Sequence, residues 1–316
     1  MEKRRLGNTD LHVYPITFGG NVFGWTIDKK QSFEILDAFT GAGFNFIDTA
    51  DVYSRWVPGN QGGESELIIG NWLKKNNNRE SVIIATKVGA DMGNGRRDLS
   101  KNYILKAAED SLRRLQTDYI DLYQTHWDDE TTPIDETLEA YAQLIQEGKV
   151  RHIGASNLSP ARLKDSLQIA AKNGLPAYET FQPQYNLYER EEFEAEIEPI
   201  CLEHNLGVLN YYSLASGFLT GKYRSKDDLG KSQRGGGVEK YLDGRGFKIL
   251  AALDEVAKKL NTTPATVALS WLIHRPSVTA PIVSATSISQ LESIIKAPNL
   301  AITKHEIDFL TQASAW

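Results

Sequence analysis

The stretch at residues 45–53, NFIDTADVY, contains the repeating unit on which the chain is built. Its first half is a short apolar run typical of a buried strand, and Asp48 stands at the carboxyl end of that run. A helix-patterned segment at 30–42 precedes the run, and another at 64–75 follows it. A strand flanked by helices is the repeating step of a parallel-sheet protein.

The same step recurs along the chain. A β-hairpin is predicted around residues 4–13, and eight β-like runs follow it, each succeeded by at least one helix-patterned segment. These runs are 16–20, 45–48, 82–87, 120–125, 150–155, 180–182, 207–211 and 281–283. Eight units predict an α/β fold, a (β/α)8 TIM barrel with an N-terminal β-hairpin and long loops over the carboxyl ends of the strands. We expect residues 1–316 to form this one barrel domain.

A doubly wound open sheet is the structural alternative. Its dinucleotide fingerprint, Gly-x-Gly-x-x-Gly between a strand and a helix, is not found, and Gly235-Gly236-Gly237 is read as a loop. Residues 54–63 and 224–244 fit no barrel unit, and their length favours lids beside a site. Ser100 and Thr263 are predicted helix N-caps, the latter with Pro264 in the first turn.

Composition limits the function classes. Hydrophobic content of 41% and charged content of 24% are ordinary for a soluble globular protein, and no apolar run reaches the roughly 18 residues of a membrane span. Cys201 is the only cysteine, which excludes an intramolecular disulfide and a multi-cysteine metal site. The net charge of −6 argues against nucleic-acid binding through a broad basic face. We expect a cytoplasmic protein with no membrane or nucleic-acid partner, and the oligomeric state stays open.

The strand ends predict a site, because parallel barrels place theirs at the carboxyl ends of the strands. Asp48, Lys87 and His126 end three successive runs, 39 positions apart each time, and Tyr53 lies five residues beyond Asp48. Taken alone, each has an ordinary structural interpretation as a turn cap, a paired lysine, a hydrogen-bonded histidine or a packing tyrosine. Their convergence on one mouth favours a functional set.

The residue types suit proton transfer to a carbonyl. A phenol near an ammonium is expected to have a lowered pKa and to exchange its proton readily, with Asp48 holding Lys87 in place. His126 could donate a hydrogen bond to a carbonyl oxygen. The set therefore suits protonation of that oxygen as a hydride reaches carbon, or the reverse, and Asp51 is interpreted as structural.

These residues resemble the aldo-keto reductases over nearly the whole chain. Residues 46–53, 85–88 and 123–126 are similar to the segments that carry the family's Asp, Tyr, Lys and His tetrad. The resemblance implies a barrel that binds extended NADPH across its strand ends and reduces an aldehyde or ketone. It makes Tyr53 the general acid, Lys87 and Asp48 the groups that tune it, and His126 the group that orients the carbonyl.

The resemblance also implies the cofactor contacts. Ser156, Asn157 and Gln182 would hold the nicotinamide carboxamide, and Tyr211 would stack on the ring. The adenosine-phosphate end would meet residues 284–290, in which no Arg or Lys occurs, so NADH stays possible beside NADPH. The remaining implied contacts are Gly20, Asn21, Leu214, Lys222, Arg224, Arg234, Ser284, Thr286 and Gln290.

Four aromatic residues fall in loops near the strand ends. We predict that Phe23, Trp25, Trp56 and Trp127 form an apolar pocket for a small carbonyl compound. Two alternative functions remain. One is a cofactor-binding regulatory protein with little turnover, and the other is a metal-dependent hydrolase that uses His126, Asp128 and Asp129.

Overall fold

Strands and helices alternate along most of the chain in the predicted order. The protein is described by a computed structural model that covers residues 2–316. The strands are β1 (Arg4–Arg5), β2 (His12–Val13), β3 (Thr17–Gly19), β4 (Phe46–Asp48), β5 (Ile83–Val88), β6 (Ile120–Thr125), β7 (Val150–Ser156), β8 (Thr180–Gln182), β9 (Gly207–Val208) and β10 (Ile282–Val283). The helices are α1 (Lys29–Gly41), α2 (Glu64–Asn76), α3 (Lys101–Leu115), α4 (Ile134–Gln146), α5 (Pro160–Asn173), α6 (Glu198–Glu203), α7 (Gly244–Lys259), α8 (Pro264–Ile273), α9 (Ile288–Ile295) and α10 (Lys304–Ala313).

Eight parallel strands form the sheet that positions the site. Their order is β10-β3-β4-β5-β6-β7-β8-β9, so strands that follow each other along the chain are neighbours in the sheet. The Thr279 N–H donates to the Val208 carbonyl, and the Ile282 N–H donates to the Asn210 carbonyl, each at 2.9 Å. These bonds join the segment of β10 to β9. The sheet therefore closes as the predicted (β/α)8 barrel and is not an open doubly wound sheet.

The N-terminal hairpin plugs the amino ends of the barrel strands. β1 pairs antiparallel with β2, as predicted, and Arg4 donates from Nη1 to the Val278 carbonyl just before β10. Leu6, Leu11 and Val13 pack in one buried cluster with Phe46 at the start of β4. The hairpin thus fills the end of the barrel at which the strands begin. The carboxyl ends of the barrel strands remain available to other side chains.

Of the two predicted helix caps, one is confirmed and one is not. Thr263 accepts a hydrogen bond from the Thr266 N–H and caps α8, which carries Pro264 in its first turn. Ser100 occupies the N-cap position of α3, but its hydroxyl donates to Asp98 at 2.6 Å and does not cap the helix. In the first turn of α3 the Lys101 N–H donates instead to Glu136 Oε1 at 3.0 Å.

The structure departs from the predicted elements mainly after β8. Residues 191–204 have the sequence pattern of one helix, and 191–203 are helical, but a π turn at Phe193–Ile197 precedes the short α6, which has a proline in its first turn. Helix α10 was not predicted, and segment 224–244 contains two 3-10 turns, Lys226–Lys231 and Gly235–Tyr241. Within residues 2–316, no helix is long and apolar enough to cross a membrane.

Candidate active site

The four tetrad candidates meet at the carboxyl ends of adjacent strands. Asp48 is the last residue of β4, Lys87 lies near the end of β5, and His126 directly follows β6. The three strands are hydrogen-bonded neighbours in parallel register, so their carboxyl ends share one edge of the barrel. The turn after β4 brings Tyr53 back over this edge, where its ring lies 5.9 Å from that of His126.

Lys87 is the centre of the cluster. Its side chain is fully buried, and Nζ donates to Asp48 Oδ2 at 2.6 Å, to the Thr49 carbonyl at 2.8 Å and to the Tyr53 hydroxyl at 3.1 Å. These three acceptors use all three ammonium donors. Burial by itself would lower the pKa of Lys87, but Asp48 and Tyr53 outweigh it and raise the pKa. The lysine is therefore charged in the buried site.

Two glutamine amides fix the other oxygen of Asp48. Asp48 Oδ1 accepts from Gln124 Nε2 at 3.1 Å and from Gln182 Nε2 at 3.0 Å. Gln124 was not identified from the sequence, although it lies two residues before His126 on alternating β6 and so points to the same interior. The glutamines supply donors that a buried carboxylate needs in addition to its lysine.

Tyr53 is protonated at neutral pH. Burial raises the pKa of its phenol, and this effect exceeds the lowering by the Lys87 ammonium. The lowered pKa expected from the sequence is therefore wrong in sign, because desolvation of the phenolate outweighs its attraction to the neighbouring cation. The site holds a phenol with its proton present, hydrogen-bonded to a charged lysine.

His126 is neutral. Burial lowers its pKa well below the ordinary value, and the positive charges of Lys87 and Arg97 act in the same direction. Among residues 2–316, no group forms a hydrogen bond with its buried Nδ1. Since Nδ1 has no acceptor, the single imidazole proton belongs on Nε2. His126 is thus suited to donate a hydrogen bond without transferring a full charge.

The four residues expected at the nicotinamide form one hydrogen-bonded group beside the tetrad. Ser156 Oγ donates to the Gln182 carbonyl at 2.8 Å, and Asn157 Nδ2 donates to the His126 carbonyl at 2.9 Å. The Tyr211 hydroxyl donates to Asn157 Oδ1, also at 2.8 Å. A carboxamide has an acceptor oxygen and a donor NH₂ group, and the amide and hydroxyl groups of these four residues are of the types that can bond to both.

The residues expected at the adenosine end gather at the start of α9. Ser284 Oγ lies 2.7 Å from the Gly19 carbonyl oxygen and 2.8 Å from Asn21 Oδ1, which places β10 against the turn that contains Gly20. The Gln290 side chain accepts from the Thr286 N–H at 2.9 Å. A strand that leads into a helix N-terminus is a suitable place for a phosphate.

The backbone after β9 makes a tight turn beside the strand ends. Three successive residues, Ala215, Ser216 and Gly217, have positive φ angles, and partly buried Leu214 precedes them. The turn is held by its own backbone, because the Ala215 N–H donates to the Tyr212 carbonyl at 2.7 Å and the Gly217 N–H donates to the Leu214 carbonyl at 2.8 Å. Lys222 follows this turn, and its Nζ lies close to Gly217. At this edge the lysine ammonium is therefore the group suited to a phosphate.

The three candidate cations differ in their surroundings. Arg224 forms a two-point ion pair with Asp254, with both N···O distances 2.8 Å. Arg234 stacks over the Trp25 ring at 5.2 Å, and its buried Nη2 forms no hydrogen bond within the described part of the chain. Lys222 lies over the Tyr223 ring at 5.0 Å. Arg224 is thus already neutralised, whereas Lys222 and Arg234 pack on aromatic rings and form no ion pair with any residue from 2 to 316.

Three of the four predicted pocket aromatics surround the tetrad. Trp56 packs edge-on against Tyr53 at 5.9 Å and against Trp25 at 5.4 Å, and Trp127 stacks on His126 at 6.2 Å. Trp56 and Trp127 are exposed at the mouth. Phe23 contradicts the prediction, because it is fully buried and stacked on Phe18 in the core. A residue next to a turn can point inward, and the sequence alone did not distinguish these directions.

The carboxylates proposed for a metal site have other partners. Asp128 pairs with Arg162 at 3.0 Å, while Asp129 accepts from Thr131, Thr132 and the Leu99 N–H. These hydrogen bonds lower the pKa of Asp129 to about 2 although burial opposes them. No group of three or more His, Cys, Asp or Glu side chains within residues 2–316 is arranged to hold a metal ion.

Comparisons with known proteins indicate the family of the chain. A sequence profile described as "Aldo/keto reductase family" matches residues 15–315. The chain is 36% identical to an uncharacterized oxidoreductase of Bacillus subtilis, YrpG, over 98% of this chain and 95% of that protein. It is 34% identical to the aldo-keto reductase YhdN of the same organism, over 93% and 88% of the two chains. A probable voltage-gated potassium channel subunit beta of Arabidopsis thaliana is 31% identical over 94% and 91%. The chain therefore belongs to the aldo/keto reductase family, and this membership and its oxidoreductase relatives support an oxidoreductase role.

Proposed function

We propose that this protein reduces an aldehyde or ketone to an alcohol with NADPH as the cofactor. The observation that carries the proposal is the bridging position of Lys87, whose Nζ bonds both the Asp48 carboxylate and the Tyr53 hydroxyl. A buried cation held by one carboxylate and pointed at one phenol is an arrangement for stabilising a phenolate. That phenolate forms when the phenol gives its proton to a substrate oxygen.

Each tetrad member has a distinct part in this reaction. Tyr53 holds the proton that the carbonyl oxygen receives, since burial raises the pKa of the phenol. Lys87 stabilises the negative charge left on the Tyr53 oxygen, and Asp48 fixes the lysine. His126 presents its Nε2–H to the same carbonyl oxygen and, being neutral, orients it without competing as an acid. A bound NADPH supplies the hydride that reaches the carbonyl carbon.

The cofactor would lie across the strand ends. Ser156, Asn157 and Gln182 would hold its carboxamide and Tyr211 would cover its ring, while the segment at 284–290 would receive the adenosine end. Lys222 is the candidate cation left to meet a 2′-phosphate, because Arg224 is already paired with Asp254 and Arg234 lies over Trp25 at the substrate mouth. The preference for NADPH over NADH therefore depends on Lys222.

The mouth favours a substrate with an apolar, flat body. Indole rings at Trp25, Trp56 and Trp127 surround the position where Tyr53 and His126 would meet the carbonyl oxygen. Such a wall gains most from aromatic or branched aliphatic groups, which bury apolar area against it. We propose small aromatic and aliphatic carbonyl compounds as the substrate class.

A regulatory protein with little turnover is the second candidate. It is favoured by the similarity to a protein named as a probable potassium channel subunit beta. The two candidates differ in turnover and not in cofactor binding. Oxidation of NADPH, followed by absorbance with a panel of aldehydes and ketones and with NADH in parallel, separates them. Cofactor binding without turnover on any carbonyl would favour the regulatory protein.

Tyr53→Phe tests the chemistry directly. The substitution removes the proton donor and leaves the proposed nucleotide contacts, so we expect carbonyl reduction to fall by at least about 100-fold with cofactor affinity nearly unchanged. Affinity is measured by calorimetric titration with NADPH, and Tyr119→Phe, outside the site, serves as the matched control. An undiminished reduction rate in Tyr53→Phe would refute the proposed proton donor.

A further inference from the structure

Two further carboxyl groups lie buried directly behind Lys87. Asp51 is 2% exposed and Glu66 is fully buried, and neither takes part in the proposed reaction. Glu66 stands on α2, and Asp51 stands in the turn between Asp48 and Tyr53. Lys87 cannot neutralise them, since its three donors are used by Asp48, Thr49 and Tyr53. Their charges must be balanced from another element.

The only strong partners in this cluster belong to Glu66. Its Oε1 accepts from Thr86 Oγ1 and its Oε2 accepts from Arg114 Nε, both at 2.6 Å. Arg114 is held there by close packing, because a Cβ on Gly63 would lie only 2.4 Å from the arginine side chain. The Arg114 guanidinium therefore interacts electrostatically with both carboxyl groups, and it is hydrogen-bonded to Glu66.

Asp51 is the less compensated of the two carboxyl groups, although the Arg114 charge, the Val52 backbone N–H and the Lys87 charge oppose the effect of burial on its pKa. In the described chain its buried Oδ1 forms no hydrogen bond. An ionised carboxylate in such a place is strongly unfavourable, whereas a neutral carboxylic acid is tolerated. Burial, followed by the Glu66 charge, raises the pKa of Asp51 to about 8, although Arg114 and Lys87 act against them.

Other elements packed around Asp51 contribute phenols and no further cation. The charged or titratable groups that face Asp51 come from five elements. They are Glu66 on α2, Arg114 and Tyr103 on α3, Lys87 on β5, Tyr123 on β6 and Tyr141 on α4. The three tyrosines are neutral at physiological pH because burial raises their pKa values. Within residues 2–316, Asp51 and Glu66 thus share Arg114, which is hydrogen-bonded to Glu66.

Asp51 is coupled to the tetrad by the chain itself. Its backbone N–H donates to the Lys87 carbonyl at 3.3 Å, and the Tyr53 N–H donates to the Ala50 carbonyl at 3.2 Å, so the turn that carries Asp51 sets the position of the phenol. A negative charge on Asp51 would disfavour the second negative charge that Tyr53 acquires when it gives up its proton. A neutral Asp51 exerts no such repulsion on the negative charge that forms on Tyr53.

We propose that Asp51 is a positioning residue that carries its proton in the working enzyme, so that no uncompensated negative charge stands behind Lys87 and Tyr53. Loss of this proton slows proton donation by Tyr53. The kinetic half of the inference rests on the proposed carbonyl reduction. The protonation half does not, because it concerns the resting protein alone.

The protonation half is tested on the whole protein without substrate. Infrared spectra collected across pH should contain a carbonyl stretch of a protonated carboxyl group that disappears near pH 8. Asp51→Asn removes the group, and Glu66→Gln leaves Arg114 free to pair with ionised Asp51, so both should lack this band at pH 7. Asp118→Asn, an exposed control, should retain it. Carbon-13 NMR of aspartate-labelled wild-type protein provides a reading that needs no variant.

The kinetic half uses the pH dependence of carbonyl reduction. The wild-type rate should fall as Asp51 ionises near pH 8, and this alkaline limb should be lost in Asp51→Asn and Glu66→Gln, with the plateau rate kept. A merely structural aspartate would lower the rate at every pH or leave the limb in place. Absence of a titrating aspartate in the wild-type spectra, or a band that persists in Asp51→Asn, would overturn the inference even if the protein reduces no carbonyl.

Discussion

The two ends of the barrel both hold clusters of charged side chains, but the clusters differ in how completely they are hydrogen-bonded. At the amino ends, His152 bonds Glu179 through Nδ1 at 2.6 Å and Asp10 through Nε2 at 2.7 Å. Asp121 accepts there from Arg79 at 2.7 Å and from Arg151 at 2.9 Å. Each of these anions meets a cation, and the cluster ties the hairpin to the barrel.

The mouth keeps several polar atoms without protein partners. In the part of the chain that the structure describes, Asp51 Oδ1, His126 Nδ1 and Arg234 Nη2 are buried and form no hydrogen bond. The Asp48–Lys87 pair, in contrast, is fully bonded. Pairing of every charge in the His152 and Asp121 cluster indicates a structural role, although Asn78 Oδ1, Thr180 Oγ1 and Arg275 Nε lack partners elsewhere in residues 2–316, whereas the unpaired atoms at the mouth belong to groups in or beside the tetrad. The two ends should therefore respond differently to substitution.

The largest effect is expected at the one fully bonded pair of the mouth. Lys87→Met leaves buried Asp48 without its cation, which should lower the unfolding free energy by about 3–5 kcal/mol, because removing one partner of a buried ion pair is more destabilising than removing both. Carbonyl reduction should also fall by at least about 100-fold, since the phenolate loses its cation. Urea unfolding and NADPH oxidation measure the two quantities.

The double variant Lys87→Met with Asp48→Asn separates these effects. Removing both charges should recover much of the lost unfolding free energy, while turnover stays low. If turnover recovered together with stability, Lys87 would be a structural residue and the two ends of the barrel would not differ in kind.

Asp121→Asn tests the amino ends. The side chain is 2% exposed and accepts from Arg79, from Arg151 and from the Ile84 N–H at 3.0 Å. Loss of its charge should lower the unfolding free energy by about 2 kcal/mol, the scale of a hydrogen bond to a charged group. The reduction rate per folded molecule should not change. Asp118→Asn, exposed three residues earlier, is the matched control, and a reduced rate in Asp121→Asn alone would contradict a purely structural role.

Much of the mouth could be predicted because it depends on periodicity. Asp48, Lys87 and His126 stand where apolar runs end, and parallel strands bring such ends together whatever the rest of the chain does. Gln124 follows the same alternation but is polar inside an apolar run, and only its contact with Asp48 gives it a role. Sequence patterns locate residues along an element better than they identify partners across elements.

The errors come from quantities that depend on three-dimensional environment. The direction of the Tyr53 pKa depends on how much water burial removes, and the direction of the Phe23 side chain depends on the packing of Phe18 beside it. The sequence predicts only a structural role for Asp51, and the lack of a partner on its Oδ1 follows because Arg114 pairs with Glu66. These outcomes are decided by competition among side chains far apart in sequence.

The smallest effect is expected from His152, and it concerns pH. Burial by itself would lower the pKa of His152, but its hydrogen bonds and ion pairs with Glu179 and Asp10 raise it above 6.5. The stabilisation by the charged imidazole is therefore complete below the unfolded pKa of about 6.5 and is lost as pH rises through the higher folded value. Urea unfolding from pH 6 upward should show this loss in the wild-type protein. His152→Gln should abolish it and leave the reduction rate unchanged, whereas exposed His204→Gln should retain it. A loss of equal size in His152→Gln would mean that the charged cluster at the amino ends does not contribute to the pH dependence of folding.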